Sequence, residues 1–425
     1  MFKPNVTDQT QETREHTSGD QPLGLNKRVL LVSSWAPPAL GGPQNLYNIF
    51  SRIDGRRYAI FTSVVNELQS ASHAGSRLPC RYYFYDEEKR DPSYFTRPGT
   101  PLLIKAARRI RRGVLLPGRI ARIISTGLRL IREERVKLLL GVSDEGPALM
   151  LTFLLSKLSG VPYLLYFFDL YKGNDLKQPW KAIASFFEPL LFKRARRIIV
   201  TNEQTRDYYL ERYPGGVYEV VHNSVAGELY RCVQSEYNPK PPYTIVFTGR
   251  IYWAQERSVR NLLRAVSAMD DLDIRCLIYA PNPPKELVAE YANHPRITFD
   301  VASHDQMPAV QGRADILFLP LSWHTKSPQI IATASPGKLT DYLIAGRPML
   351  IHAPPYAFVS RYAREHRCGH VVDEENIAAL QAGIKKLITD NGYARELIAN
   401  ARRMFHAHYD VGPNAMKMRE LLDAV

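Results

Sequence analysis

Lys338 stands three residues ahead of Asp341 in the stretch Ser335-Pro336-Gly337-Lys338-Leu339-Thr340-Asp341-Tyr342. Ser is a favoured N-cap and Pro a favoured first helical residue, so this order predicts a helix starting at Ser335. Gly346, with Pro348 behind it, marks the helix end. Lys338 then sits in the first turn, where the helix dipole favours acidic side chains over basic ones. A lysine there makes chemical sense when an anion occupies the helix start, and phosphate is the usual one. Asp341, one turn on, shares that face and can accept from the hydroxyls of a ribose. The plainer alternative is a capped surface helix with a solvated lysine.

Two loops add chemistry of the same kind. Phe247-Thr248-Gly249-Arg250 puts an arginine directly after an apolar run. A guanidinium there can grip a diphosphate through two parallel hydrogen bonds, or form an ordinary rim salt bridge. Near the N-terminus, Trp35-Ala36-Pro37-Pro38-Ala39-Leu40 leads into Gly41 and Gly42. Paired glycines ahead of a helix admit a ligand close to the backbone, or simply make a tight turn. No GxGxxG and no Walker lysine accompany them, which argues against dinucleotide and P-loop binding.

Behind these loops, short β-rich runs alternate with helical patterns almost from end to end. Strands are expected at 28–34, 58–64, 80–85, 137–142, 163–168, 197–201 and 218–221. After a Pro-rich break at 237–242 they resume at 243–248, 274–279, 297–301, 316–320, 348–352 and 369–372. Such alternation predicts an α/β protein of two doubly wound, Rossmann-like parallel sheets facing a cleft. Ligands of such sheets bind beyond the carboxyl ends of the strands, which places the loops 34–43, 169–175, 248–256 and 321–338 at the cleft. The expected boundaries are a disordered tail over 1–25, an N-terminal domain over 26–225, a linker over 226–242 and a C-terminal domain over 243–410. A final helix over 411–425, after a break at Val411-Gly412-Pro413, is expected to cross back to the first domain.

Composition narrows the class. The 425 residues are 45% hydrophobic and 23% charged, ordinary for a globular protein long enough for two cores. No apolar run reaches membrane-spanning length, since Lys157, Gly160 and Pro162 interrupt the greasiest stretch, 149–168. The four cysteines lie far apart with no CxxC, so neither a disulfide framework nor a metal site is expected, and a cytoplasmic location follows. The net charge of +14 points to an anionic partner. Its densest part, 105–137, holds eleven Lys or Arg against Glu133 and Glu134, interleaved with apolar residues at helical spacing. That pattern fits a pair of helices on the anionic inner face of a membrane, or a solvated basic face. Nucleic acid is disfavoured, because no recognition motif accompanies the charge.

Taken in order, these motifs resemble the GT-B glycosyltransferases of the large retaining family 4, also described as glycosyl transferases group 1. The Pro-Pro and Gly-Gly-Pro loop, Val220–Val225, Phe247–Arg250, Ala314–Pro320 and Ser335–Pro348 match that family's pattern over nearly the whole chain after residue 27. The resemblance implies transfer of a hexosyl or related sugar, with retention and without metal or other cofactor, from a UDP- or GDP-sugar. The acceptor it implies is a glycan or lipid-linked molecule in cell-surface polysaccharide biosynthesis. It further implies that Arg250 and Lys338 act in catalysis by neutralising the departing diphosphate, that Gly249, Ser335, Pro336, Gly337, Leu339 and Asp341 bind the donor, and that Gly41, Gly42 and Asp169 lie on the acceptor side. Three positions depart from the family pattern. Thr333 replaces the first of two glutamates, Ile251–Gln255 lacks the lysine expected after Gly-Arg, and Phe168 stands where histidine is frequent. The rival readings are a GT-B-fold nucleotide-sugar epimerase and a non-catalytic glycosyltransferase-like scaffold.

Overall fold

A computed structural model describes residues 22–37, 41–63, 77–85, 102–143, 147–174, 176, 180–233 and 236–425, without the side chains of 102–117 and 232–233. Residues 1–21 of the tail expected over 1–25, and the side chains in the first half of the basic run, lie outside the described residues.

Every described strand lies within a segment expected to form one. The first seven are β1 (Val29–Val32), β2 (Tyr58–Thr62), β3 (Arg81–Phe84), β4 (Leu138–Val142), β5 (Tyr163–Phe167), β6 (Ile198–Val200) and β7 (Tyr218–Val220). They form one sheet in the order β3-β2-β1-β4-β5-β6-β7. A second sheet takes β8 (Tyr243–Thr248), β9 (Ile274–Tyr279), β10 (Ile297–Asp300), β11 (Ile316–Pro320), β12 (Met349–His352) and β13 (His370–Val372), in the order β10-β9-β8-β11-β12-β13. All recorded pairings are parallel. Parallel sheets are covered on both faces, which is why their central strands read as unbroken apolar runs rather than alternating ones.

The chain divides into two compact units, one of residues 1–166, 178–198 and 415–425, the other of 167–177 and 199–414. In the first, Leu23 bridges Ile53, Leu25 is buried, and the backbone N–H of Asn26 donates to Asp423 at 2.8 Å, so the last helix returns here. In the second, the two-residue period of the strands sorts them between two cores. Val246, Leu317, Leu319 and Ile351 face one, and Ile245, Phe247, Phe318 and Leu350 the other.

Two local expectations are corrected. The basic run is one helix, Leu102–Glu133, rather than a pair. At the C-terminus the break falls before Val411: a π-helical turn, Phe405–Tyr409, ends at an extended Asp410, and Val411-Gly412-Pro413 opens the last helix, Val411–Asp423. Proline is tolerated in a first turn because its missing N–H has no partner there anyway.

Candidate functional site

Within the second unit, β8 ends beside β11 and β9, and its C-terminal edge gathers the residues with chemistry. The N–H of Gly249 donates to Tyr279 at 2.9 Å, and Gly249 then takes φ +112, a conformation that side-chain-bearing residues rarely adopt. A Cβ on Gly249 would lie 3.4 Å from Cε and 3.5 Å from Nζ of Lys338. The helix that carries Lys338 is Gly337–Ile344, so it starts later than its Ser-Pro signal implies. Pro336 is extended at ψ 137 and acts as the cap, and its carbonyl accepts from the N–H of Leu339 at 2.9 Å. Ser335 therefore makes no cap bond; its carbonyl accepts from Asn223 Nδ2 at 2.8 Å while its hydroxyl is buried without a partner.

Lys338 sends its ammonium inward along this edge. Nζ donates to Gln255 Oε1 at 2.8 Å and lies 4.1 Å from the centre of the Phe247 ring. No carboxylate among the described residues lies within ion-pair distance of it. Burial pushes the ammonium down to about 7, with only the more distant charge of Asp341 opposing. Asp341 itself is turned toward the interior. Burial pushes its carboxyl up to about 6, opposed by the neighbouring Tyr230 and Gln311 side chains and by the charge of Lys338.

Those partners belong to a network that joins the Lys338 helix to the end of β8. The hydroxyl of Tyr230 donates to Gln311 Oε1 at 2.7 Å, and Gln311 Nε2 donates to Thr248 Oγ1 at 3.2 Å. The N–H of Thr248 donates to the Tyr342 hydroxyl at 3.0 Å. Tyr230, Gln311, Thr248 and Tyr342 are all buried, so each bond forms where water cannot compete.

Arg250 is exposed, with no ion-pair partner among the described residues. Asp169 reaches the same neighbourhood. Burial and then the negative charge of Asp169 push the Tyr252 hydroxyl up to about 12, opposed by the charge of Arg250 and a hydrogen bond with Gln255. The N–H of Gln255 donates to Tyr252 at 2.8 Å, and Ala254 accepts from the N–H of Ser322 at 2.7 Å, tying this turn to the loop after β11.

The structure thus brings together Gly249, Arg250, Lys338, Asp341 and Asp169, with Ser335, Pro336 and Gly337 at the helix start. Leu339 is core instead: its side chain is fully buried and its amide is bound to Pro336. Thr333, at the departed glutamate position, is also spent internally. Its hydroxyl donates to Gln329 at 2.9 Å, and its carbonyl accepts from Asn202 Nδ2 at 2.9 Å. Gly41 and Gly42 belong to the other unit. Gly41, at φ +88, precedes the helix Gly42–Phe50, and none of the described residues lies within 4 Å of where its Cβ would be. Sequence reasoning missed Gln255, Tyr230 and Gln311. For Gln255 a signal existed, since it closes the segment that lacks the family's lysine; for the other two none did.

Comparison with known proteins fits this geometry. Residues 242–390, which hold the site around Lys338, match the model of the family described as glycosyl transferases group 1. No curated protein matches the sequence. Among solved structures, a glycosyltransferase from Rickettsia africae superimposes with a TM-score of 0.66 at 14% identity, covering 94% of this chain and 98% of that one. Anabaena HepE, solved in complex with UDP and glucose, gives 0.65 at 13% identity, covering 94% and 100%. Sucrose-phosphate synthase from Thermosynechococcus elongatus gives 0.64 at 14% identity, also covering 94% and 100%. The fold is that of the GT-B glycosyltransferases.

Proposed function

We propose that the protein is a retaining, metal-independent glycosyltransferase that moves a sugar from a UDP- or GDP-sugar to a glycan or lipid-linked acceptor in cell-surface polysaccharide biosynthesis. The observation that carries this reading is the pairing of cations at one strand end: Lys338, inward and with no carboxylate of the described residues at ion-pair distance, beside Gly249, with Arg250 exposed next to it. In glycosyl transfer the anomeric carbon becomes oxocarbenium-like while negative charge builds on the leaving diphosphate. Cations fixed in place before that charge develops stabilise it without reorganisation. The free N–H groups at the start of the Gly337–Ile344 helix add donors for the same oxygens. Asp341, held by Tyr230 and Gln311, keeps lone pairs for the ribose hydroxyls. The complex of HepE with UDP favours UDP as the nucleotide.

Incubation with a panel of radiolabelled UDP- and GDP-sugars, without acceptor, should show slow hydrolysis of one of them. Arg250→Ala should cut that rate by roughly 100-fold, the size expected for one lost oxyanion donor. An unchanged rate would refute the assignment of Arg250, and no hydrolysis of any donor would leave the scaffold reading in its place.

The basic run extends the proposal to an anionic membrane surface as the place where a lipid-linked acceptor is met. Arg122, Arg129 and Arg132 are exposed on the helix Leu102–Glu133. Among the described residues no helix is long and apolar enough to cross a membrane, so contact would be peripheral. Flotation with vesicles should require anionic lipid and fade as salt rises. Salt-insensitive flotation would overturn it.

A further inference from the structure

Gln255 is the feature of the site that its reading as a diphosphate cradle leaves unexplained. It is 3% exposed, it comes from the turn after β8, and its side-chain oxygen is the one hydrogen-bond acceptor of Lys338 Nζ among the described residues. The other neighbour of the ammonium is the face of Phe247, 4.1 Å from the ring centre. An amide oxygen and an aromatic face both orient an ammonium, and neither neutralises it. A glutamate at 255 would do both.

We propose that Gln255 is a positioning residue that aims Lys338 without supplying its countercharge, so that a nucleoside diphosphate and a proton enter this site together, the proton going to Lys338. The proposal rests on the donor-binding reading above and adds the proton and the residue that governs it.

Desolvation without a countercharge destabilises the charged form of a lysine, and the arriving diphosphate restores it. In the free protein burial holds Lys338 near 7, so above that value most molecules carry it as a neutral amine. The other groups facing it titrate outside the range pH 7.5–9.5. Asp341 on its own helix is pushed up only to about 6. Tyr252, from the same turn as Gln255, lies near 12, and burial carries Tyr230 and Tyr342 well above the usual phenol range. Arg250 and, beyond Tyr252, Asp169 are the other charged groups of this neighbourhood. The terminal phosphate of UDP loses its last proton near 6, so it too is fully ionised in that range. A proton taken up there is taken up by Lys338.

The test has two arms on the full chain. Without nucleotide, competitive acetylation read by mass spectrometry gives the titration of Lys338 itself. It should show a midpoint near 7 in the wild type and one several pH units higher in Gln255→Glu. With UDP, calorimetry at pH 8.5 in two buffers of different ionisation enthalpy should show uptake of close to one proton. UDP affinity should then fall nearly tenfold per pH unit from 8 to 9.5. In Gln255→Glu the uptake and the slope should vanish and affinity should drop roughly tenfold, because the carboxylate already neutralises Lys338. Gln255→Leu, which removes the acceptor without adding charge, should keep the proton uptake while weakening UDP. A Lys338 midpoint near 10 in the wild type, equal enthalpies in the two buffers, or a wild-type slope in Gln255→Glu would overturn the proposal. Failure of UDP and GDP to bind a protein whose Lys338 titrates near 7 would instead overturn the donor reading and leave the Gln255–Lys338 pairing standing.

Discussion

Glu134 and Lys338 are both charged side chains drawn out of water, and what surrounds them differs. Glu134, just past the end of the helix Leu102–Glu133, receives Arg28 Nε at 3.0 Å, Arg81 Nη1 at 2.9 Å and the Tyr83 hydroxyl. Burial raises its carboxyl, but those three partners outweigh it and hold the group below the usual carboxylate range. Arg28 precedes β1 and Arg81 opens β3, so this cluster fastens strand beginnings. Lys338 lies at strand ends, has an amide and a ring for company, and is pushed down rather than held up. In α/β sheets ligands bind at the carboxyl ends of strands, and the two charges follow that division. The first is answered inside the chain and serves the fold; the second is left for something outside it.

The largest effects should come from removing the two charges. Lys338→Ala should weaken UDP by roughly 100-fold, about 3 kcal/mol for a lost charge-assisted contact, with little change in thermal stability. Glu134→Gln should leave UDP binding alone and cost about 1 kcal/mol of stability, because Arg28, 17% exposed, loses its countercharge while Arg81, 69% exposed, stays solvated. Calorimetric titration and thermal melting of both variants check this. A Lys338→Ala protein that melts far lower but binds UDP normally would erase the contrast.

A smaller and subtler difference separates the two glycines that follow β8 and precede the first helix. Gly249 and Gly41 both have positive φ, at +112 and +88. Alanine at either should cost about 1–2 kcal/mol of backbone strain. At Gly41 the added methyl meets none of the described residues within 4 Å, whereas at Gly249 it meets the stem of Lys338 at 3.4 Å. Both variants should therefore melt lower, and only Gly249→Ala should also lose UDP affinity, by several-fold. Equal affinity in the two would mean that the packing of Lys338 on Gly249 does not matter to binding.

What the sequence made legible follows from the range of the forces involved. Strands buried on both faces must be apolar throughout, so their existence is written locally, and β8, β9 and β11 fall on their expected spans to the residue. Gly249, Arg250 and Lys338 were legible because a residue in an electrostatically odd or conformationally special place stands out in a linear text. The helix start was misjudged because two backbone geometries compete at Ser335-Pro336. The carbonyl of Ser335 is taken by Asn223, 112 residues away, which no local rule records. Tyr230 and Gln311 were invisible for the same reason: they are 81 residues apart, and neither is unusual until the fold joins them. Gln255 lay between these cases, noticeable only as the absence of a lysine.

The contrast between answered and unanswered groups extends to acid, where the effects are smallest. Glu203 is an answered group, since burial raises its carboxyl but His222, 3.1 Å away, brings it down to about 2. His352 is unanswered: burial pushes its imidazole down to about 4, with only the carbonyl of Glu374 in opposition. His408 is lowered as well, by burial and then by the neighbouring His222. A histidine with a depressed pKa in the folded state binds fewer protons there than in the unfolded chain, so stability rises with pH across the interval between the two values. Its contribution is complete above about 6.5 and is lost as pH falls toward 4. Glu203 works in the same direction but over a lower interval, below the usual carboxylate range, and so plays no part near neutrality. From pH 7.5 to 5.5, His352 alone should cost about 1 kcal/mol, well before any answered carboxylate titrates. Urea unfolding at the two values, with the His352 imidazole followed by NMR, measures it. A His352 signal that titrates near 6.5 would show that its burial is not felt as unanswered charge.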